Sequence, residues 1–157
     1  MGLEMTVISQ IETLADAMEL SEYLDKAATA SLAGIEHQAI QPGAALRFFE
    51  ESLACDETGL WVAREEGALQ GVCMTGAWVA PISGERMAAV LALYVNADAR
   101  HQGVSRALVQ AALAELRQRG ITHLGARVEH NDDARISMGE RWGWTRGWEW
   151  LDSGPNS

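Results

Sequence analysis

Apolar and polar positions change rhythm several times along the 157-residue chain, and each change marks an element. Residues 5–11, MTVISQI, alternate and predict a first strand. From Glu12 the rhythm becomes helical, with Leu14, Met18, Leu20, Leu24 and Ala27 recurring at spacings that turn one side to a core. Residues 33–43 include Pro42 and Gly43 and read as a loop, followed by a second, short helix over AALRFFEESLAC. GLWVAREEGALQGVCMTGAWVAP predicts two strands joined by a tight turn, with EEG at residues 65–67 as its tip. Pro81 and Gly84 mark another turn before the apolar run that ends at Val95.

The clearest helix covers residues 104–119, where Leu108, Ala112 and Leu116, flanked by Val104, Val109 and Leu113, form a broad apolar stripe. Arg117 and Arg119 sit where the helix dipole favours cations, and Gly120 is positioned to end the helix. ITHLGARVEH returns as a strand with Leu124, Ala126 and Val128 on one face. NDDARISMGERW opens a last helix, with Asn131 as the expected N-cap and Asp132 and Asp133 in its first turn. GWTRGWEWLD reads as a final strand and residues 153–157 as a polar tail. The predicted order is β-α-α-β-β-β-α-β-α-β. It describes a single α/β domain, with a core over about 5–152 and helices on both faces of a sheet.

Charge narrows the partners. Twelve Lys and Arg against 22 Asp and Glu give a net charge of −10, which repels phosphate backbones and anionic lipid. Neither nucleic acid nor a membrane is therefore an expected partner, and no apolar run approaches spanning length. Cys55 and Cys73 lack CxxC spacing and neighbouring histidines, so neither a disulfide framework nor a metal site is expected. The acidic, mixed first twenty residues read as neither signal nor transit peptide, which makes the cytoplasm the expected address.

Against that acidic background, the junction VNADARHQGVSRALV places Arg100, His101 and Arg106 around Gly103 at the mouth of a helix. A helix N-terminus presents unpaired N–H groups and partial positive charge, and so is suited to an anion. Gly103 and the small Ser105 permit close approach, while Arg100 and Arg106 add charge-assisted donors. A strand, a glycine turn and a helix are also ordinary punctuation, so the pattern alone leaves both readings open. No Gly-Lys-Ser/Thr follows the loop and no further glycines give GxGxxG spacing, which removes the P-loop and Rossmann alternatives.

The stretch LALYVNADARHQGVSRALVQAAL resembles the signature of the GNAT N-acetyltransferase superfamily, with Arg100-His101-Gln102-Gly103-Val104-Ser105 filling its Arg/Gln-x-x-Gly-x-Gly/Ala pattern. NDDARISMGERWGW resembles that family's next helix, and the element order agrees. The resemblance implies a GNAT-like mixed sheet and an acetyl-CoA site. The pyrophosphate would rest on the amides of Gln102, Gly103, Val104, Ser105 and Arg106, beside Arg100 and His101. The pantetheine arm would pair as an extra strand with the backbone around Leu93, Tyr94 and Val95, and Asn131 would bond to it. It further implies direct attack of a primary amine, from a small molecule or peptide, on the thioester.

Two departures from the family pattern accompany the likeness. Where the family often has a proton-donating Tyr, this chain has Gly139 or Met138, neither of which donates a proton; Ser137 is a nearby hydroxyl. Glu129 and His130 are the candidate bases near the expected cofactor. Only about nine residues remain for the usual two closing strands, and Trp142, Trp144, Trp148 and Trp150 crowd them. Packing or a homodimer through the C-terminal strand is the expected use of these indoles. A weakly catalytic acyl-CoA-binding or sensor module of the same fold is the alternative to an enzyme.

Overall fold

The computed structural model describes residues 5–32, 40–79, 82–126, 128 and 132–145. The chain forms two compact units, residues 1–127 and 128–157, each described by itself. In the first, five strands lie in the order β1 (Thr6–Gln10), β2 (Gly59–Glu65), β3 (Ala68–Val79), β4 (Arg86–Val95) and β5 (Leu124–Ala126). Neighbours are antiparallel as far as β4, and β5 joins β4 in parallel, giving the mixed sheet expected. The β2–β3 hairpin turns through Glu66 (φ 51°) and Gly67 (φ 83°), both left-handed, as a two-residue turn between twisted strands requires.

Alternation along the strands splits the core into two layers. Leu60, Val62, Val72 and Met74 face α1 (Leu14–Met18), α2 (Ser21–Leu32) and α3 (Ala44–Ser52). Trp61, Ala63, Cys73 and Ala88 face α4 (Val104–Gln118), which buries Leu108, Ala112 and Leu116 against them. Helices thus cover both faces of the sheet.

The single helix expected from Glu12 is two. Leu20 N–H bonds to Ala17 O at 2.9 Å, a tight turn that ends α1, and Leu24 N–H to Leu20 O at 2.8 Å begins the new ladder. The stripe is accordingly Ala17, Leu20, Leu24 and Ala27, all buried, while Met18 points outward at 59% exposure. The apolar step from Met18 to Leu20 was a slip of phase. The short helix after the loop, α3, ends at Ser52, three residues before Cys55. Among the described residues of the strand expected over 121–130, Leu124–Ala126 are in a strand, and Val128 is exposed and outside one.

One irregularity shapes the sheet beside the glycine loop. Met74 pairs with Ala92 but Thr75 pairs with Val90, so Leu91 is an extra residue on β4. Leu91 and Ala92 therefore both pack toward α1–α3, while Val90 and Leu93 pack toward α4. The described parallel pairing with β5 covers Ala88, Ala89 and Val90. Among the described residues no strand flanks β4 on that side beyond Val90.

In the second unit, α5 (Asp133–Arg141) is capped by Asp132, whose carboxylate accepts from Arg135 N–H at 3.1 Å. Asp132 takes the capping position expected of Asn131, its carboxylate meeting one of the free amides of the first turn. The rings of Trp142 and Trp144 meet edge to face at 6.3 Å. Trp148, Trp150 and the expected last strand, apart from its first residues, lie outside the described residues. Among the described residues no helix is long and apolar enough to cross a membrane.

Candidate functional site

β4, a 3-10 turn at Ala97–Ala99 and the N-terminus of α4 bring Leu93, Tyr94, Val95 and Arg100 to Arg106 into one continuous stretch. Gly103 is the N-cap of α4 at φ 81°, ψ 10°, a left-handed backbone that glycine adopts freely. Ala107 N–H is the first to reach a helical carbonyl, that of Gly103 at 3.0 Å, so the amides of Val104, Ser105 and Arg106 precede the ladder. No acidic residue stands in the first turn of α4. His101, Gln102, Gly103 and Arg106 are exposed, whereas the Val104 side chain is buried and offers only its backbone. Gln102 Nε2 donates to Asp98 O at 3.4 Å and ties the loop to the preceding turn.

The strand before the loop is firmly held. Asn96 N–H donates to Gln70 O at 2.8 Å and Asn96 Nδ2 donates to Leu69 O at 2.7 Å. Tyr23 of α2 donates its hydroxyl to Asn96 Oδ1 at 2.6 Å and meets the Tyr94 ring edge to face at 5.6 Å. Burial, with smaller repulsion from Tyr94 and Asp98, pushes the Tyr23 phenol up to about 12, so it stays a donor. Arg100 lies 6.0 Å from the Tyr94 ring centroid and donates from Nε to Val95 O at 3.1 Å. That bond holds the guanidinium back along β4, one use of Arg100 beyond the anion contact expected of it.

Alternation of backbone direction decides which way β4 points its polar groups. Asn96 N–H turns to β3, so the N–H and C=O of Leu93 and Val95 turn the other way, toward the side that β5 leaves beyond Val90. Both find side chains there: Ser31 at Leu93 and Arg100 at Val95. Buried strand groups without a neighbouring strand take side-chain partners instead.

Of the other expected site residues, Glu129, His130 and Asn131 lie outside the described residues, and Ser137 lies on α5 in the second unit. Sequence reasoning singled out neither Ser31 nor Tyr23 nor Asn96. Ser31 continues the buried stripe Leu20, Leu24, Ala27, which marks a polar residue facing the core, but its partner is 62 positions away. A separate cleft of about 270 Å³, lined by Gln10, Glu12, Phe49, Thr58 and Arg119 among others, lies by the C-terminal end of α4 and belongs to a different region. No group of three or more His, Cys, Asp or Glu suited to a metal occurs among the described residues.

Comparison with known proteins bears on the family and the fold. Residues 22–144 match the family model described as Acetyltransferase (GNAT) family. No curated protein matches the chain. Among solved structures, a predicted acetyltransferase with acetyl-CoA from Clostridium acetobutylicum aligns with TM-score 0.71 at 16% identity, covering 94% of this chain and 95% of the other. An aminoglycoside N-acetyltransferase in complex with CoA aligns with TM-score 0.70 at 14% identity over 97% and 95% of the two chains. A ribosomal-protein-alanine N-acetyltransferase from Brucella melitensis biovar Abortus 2308 aligns with TM-score 0.62 at 19% identity over 94% and 96%.

Proposed function

The chain belongs to the GNAT family of acetyltransferases, and from that premise we propose that it moves an acetyl group from acetyl-CoA to a primary amine of a small molecule or peptide. The observation that carries this reading is continuity: a strand edge that no described strand flanks beyond Val90 leads into a glycine-capped helix N-terminus. Acetyl-CoA fits both parts, since its pantetheine arm carries amides and its other end a pyrophosphate, and it supplies an activated thioester. Leu93 and Val95 offer the arm backbone groups, with Tyr94 braced between them by Tyr23. The amides from Gln102 to Arg106 hold the pyrophosphate, and Arg100, His101 and Arg106 add positive or donor groups around it. Asn131 is assigned to the arm by family likeness.

The reaction needs one bond formed and one broken. The amine nitrogen bonds to the acyl carbon, the carbon–sulfur bond breaks, the nitrogen loses a proton and the sulfur gains one. Orientation of the two reactants supplies most of the advantage, and a backbone N–H donor is the group assigned to negative charge developing on the acyl oxygen. Glu129 or His130 is assigned as the base and Ser137 as the nearest hydroxyl. The solved neighbours described as acting on an aminoglycoside and on a ribosomal-protein alanine support an amine as acceptor. Two free cysteines suit a reducing compartment, and we place the protein in the cytoplasm. A homodimer through the C-terminal strand belongs to the same reading and is tested by sizing in solution.

Gly139, standing where the family's proton donor is usual, favours a second reading: an acyl-CoA-binding module with little turnover. One experiment decides among these. Calorimetric titration with acetyl-CoA, and with CoA in parallel, should give saturable binding, and thiol release with a panel of amines should then show turnover. Binding without turnover selects the sensor; no binding at millimolar concentration defeats both.

A further inference from the structure

The open edge of β4 is bonded by a side chain that the reaction as described leaves unused. Leu93 N–H donates to Ser31 Oγ at 3.0 Å, and the Ser31 hydroxyl lies 3.3 Å from Leu93 O as its donor. One hydroxyl near the C-terminal end of α2 thus serves both groups that a flanking strand would take. Ser31 is 7% exposed, so water is not the ready alternative for these groups. Thr29, two residues earlier, bonds back to Asp25 O of its own helix at 2.9 Å, the usual habit of a helical hydroxyl. Ser31 reaches a strand 62 positions away.

Resting on the acyl-CoA reading above, we propose that Ser31 holds, in the unliganded chain, the place on Leu93 that the ligand takes, and so sets cofactor affinity. An amide N–H makes one well-aligned bond, so Ser31 Oγ and a ligand carbonyl oxygen exclude each other at Leu93. Ligand entry turns the Ser31 hydroxyl off the strand, and the affinity observed is the ligand's interaction less the bond given up. Without the hydroxyl, the two Leu93 groups lose the partner they have here, and the ligand supplies one.

The test uses the full chain as wild type, Ser31→Ala and Ser31→Thr, titrated with CoA and acetyl-CoA and followed by hydrogen exchange at the Leu93 amide. Ser31→Ala should melt lower without ligand and bind both ligands about three- to tenfold more tightly, the fold-change of roughly one net hydrogen bond. Its Leu93 amide should exchange faster than wild type without ligand and be equally protected with it. Ser31→Thr, which keeps the hydroxyl, should restore wild-type affinity; if it does not fold, the alanine variant still decides. A lower melting temperature with unchanged affinity would make the hydroxyl merely structural and overturn the proposal. Weaker binding would overturn it differently, by showing that Ser31 stays on the ligand. Binding by the alanine variant alone would be the expected effect at its extreme. If no form binds CoA, the acyl-CoA reading falls, and this inference with it.

Discussion

At Gly103 the backbone stands at φ 81°, a region that costs an L residue about 1 kcal/mol or more and a bulky one further crowding against any bound anion. Gly103→Trp should therefore weaken acetyl-CoA binding at least about tenfold while the protein stays folded, read by titration beside a circular dichroism spectrum. Unchanged affinity would mean that the loop is only a turn. Cys73 gives a second residue-scale outcome. Burial pushes its thiol from the ordinary 9.0 up to about 12. Below pH 9 the thiol is protonated folded or unfolded, and its contribution is complete. Between pH 9 and 12 only the unfolded chain loses the proton, so stability falls as pH rises. Tyr23, raised from 10.0 to about 12, adds the same sign over pH 10 to 12. Denaturant midpoints should decline above pH 9, and Cys73→Ala should flatten the first part of that decline.

Among the elements, α4 joins site to core. Its N-terminus carries the proposed anion cradle, its middle buries Leu108 completely, and its C-terminus closes with Gly120 at φ 84°. There Ile121 N–H bonds to Leu116 O at 2.9 Å and Gly120 N–H to Arg117 O at 3.0 Å, the paired bonds of a glycine-terminated helix. Leu108→Ala should cost about 2–5 kcal/mol, measured by denaturant unfolding. A variant that lost no stability would show that α4 is not anchored through this side chain. The helix was legible because stripe, cap and terminal arginines all lie within seventeen consecutive residues, 104–120. The break between α1 and α2 was not, because Met18 fits a helical spacing as well as Ala17 does and only packing decides which faces inward.

For the molecule as a whole, a net charge of −10 opposes the local cations Arg100 and Arg106 of the proposed cradle. Screening removes the longer-ranged interaction first, as the Debye length shrinks from about 30 Å at 0.01 M salt to about 10 Å at 0.1 M. The association rate of CoA should rise over that range as overall repulsion is damped. A cationic amine acceptor should show the opposite trend. Stopped-flow binding at several salt concentrations measures both, and a CoA rate that fell steeply would place the dominant field at the cradle.

The sequence by itself determined the strand-to-helix junction, the order of elements and the glycine at the N-cap of α4, since each depends on residues adjacent in the chain. Periodicity, turn chemistry and helix ends are local properties, and a contiguous motif carries them intact. The tertiary structure alone decided that Leu91 is the extra residue of β4, that the described part of β5 pairs with Ala88 to Val90, and that Ser31 and Arg100 bond the strand groups at Leu93 and Val95. Register and long-range hydrogen bonds arise from pairings between segments far apart in sequence. Ser31 is a polar residue in an apolar stripe until Leu93, 62 positions later, comes back beside it.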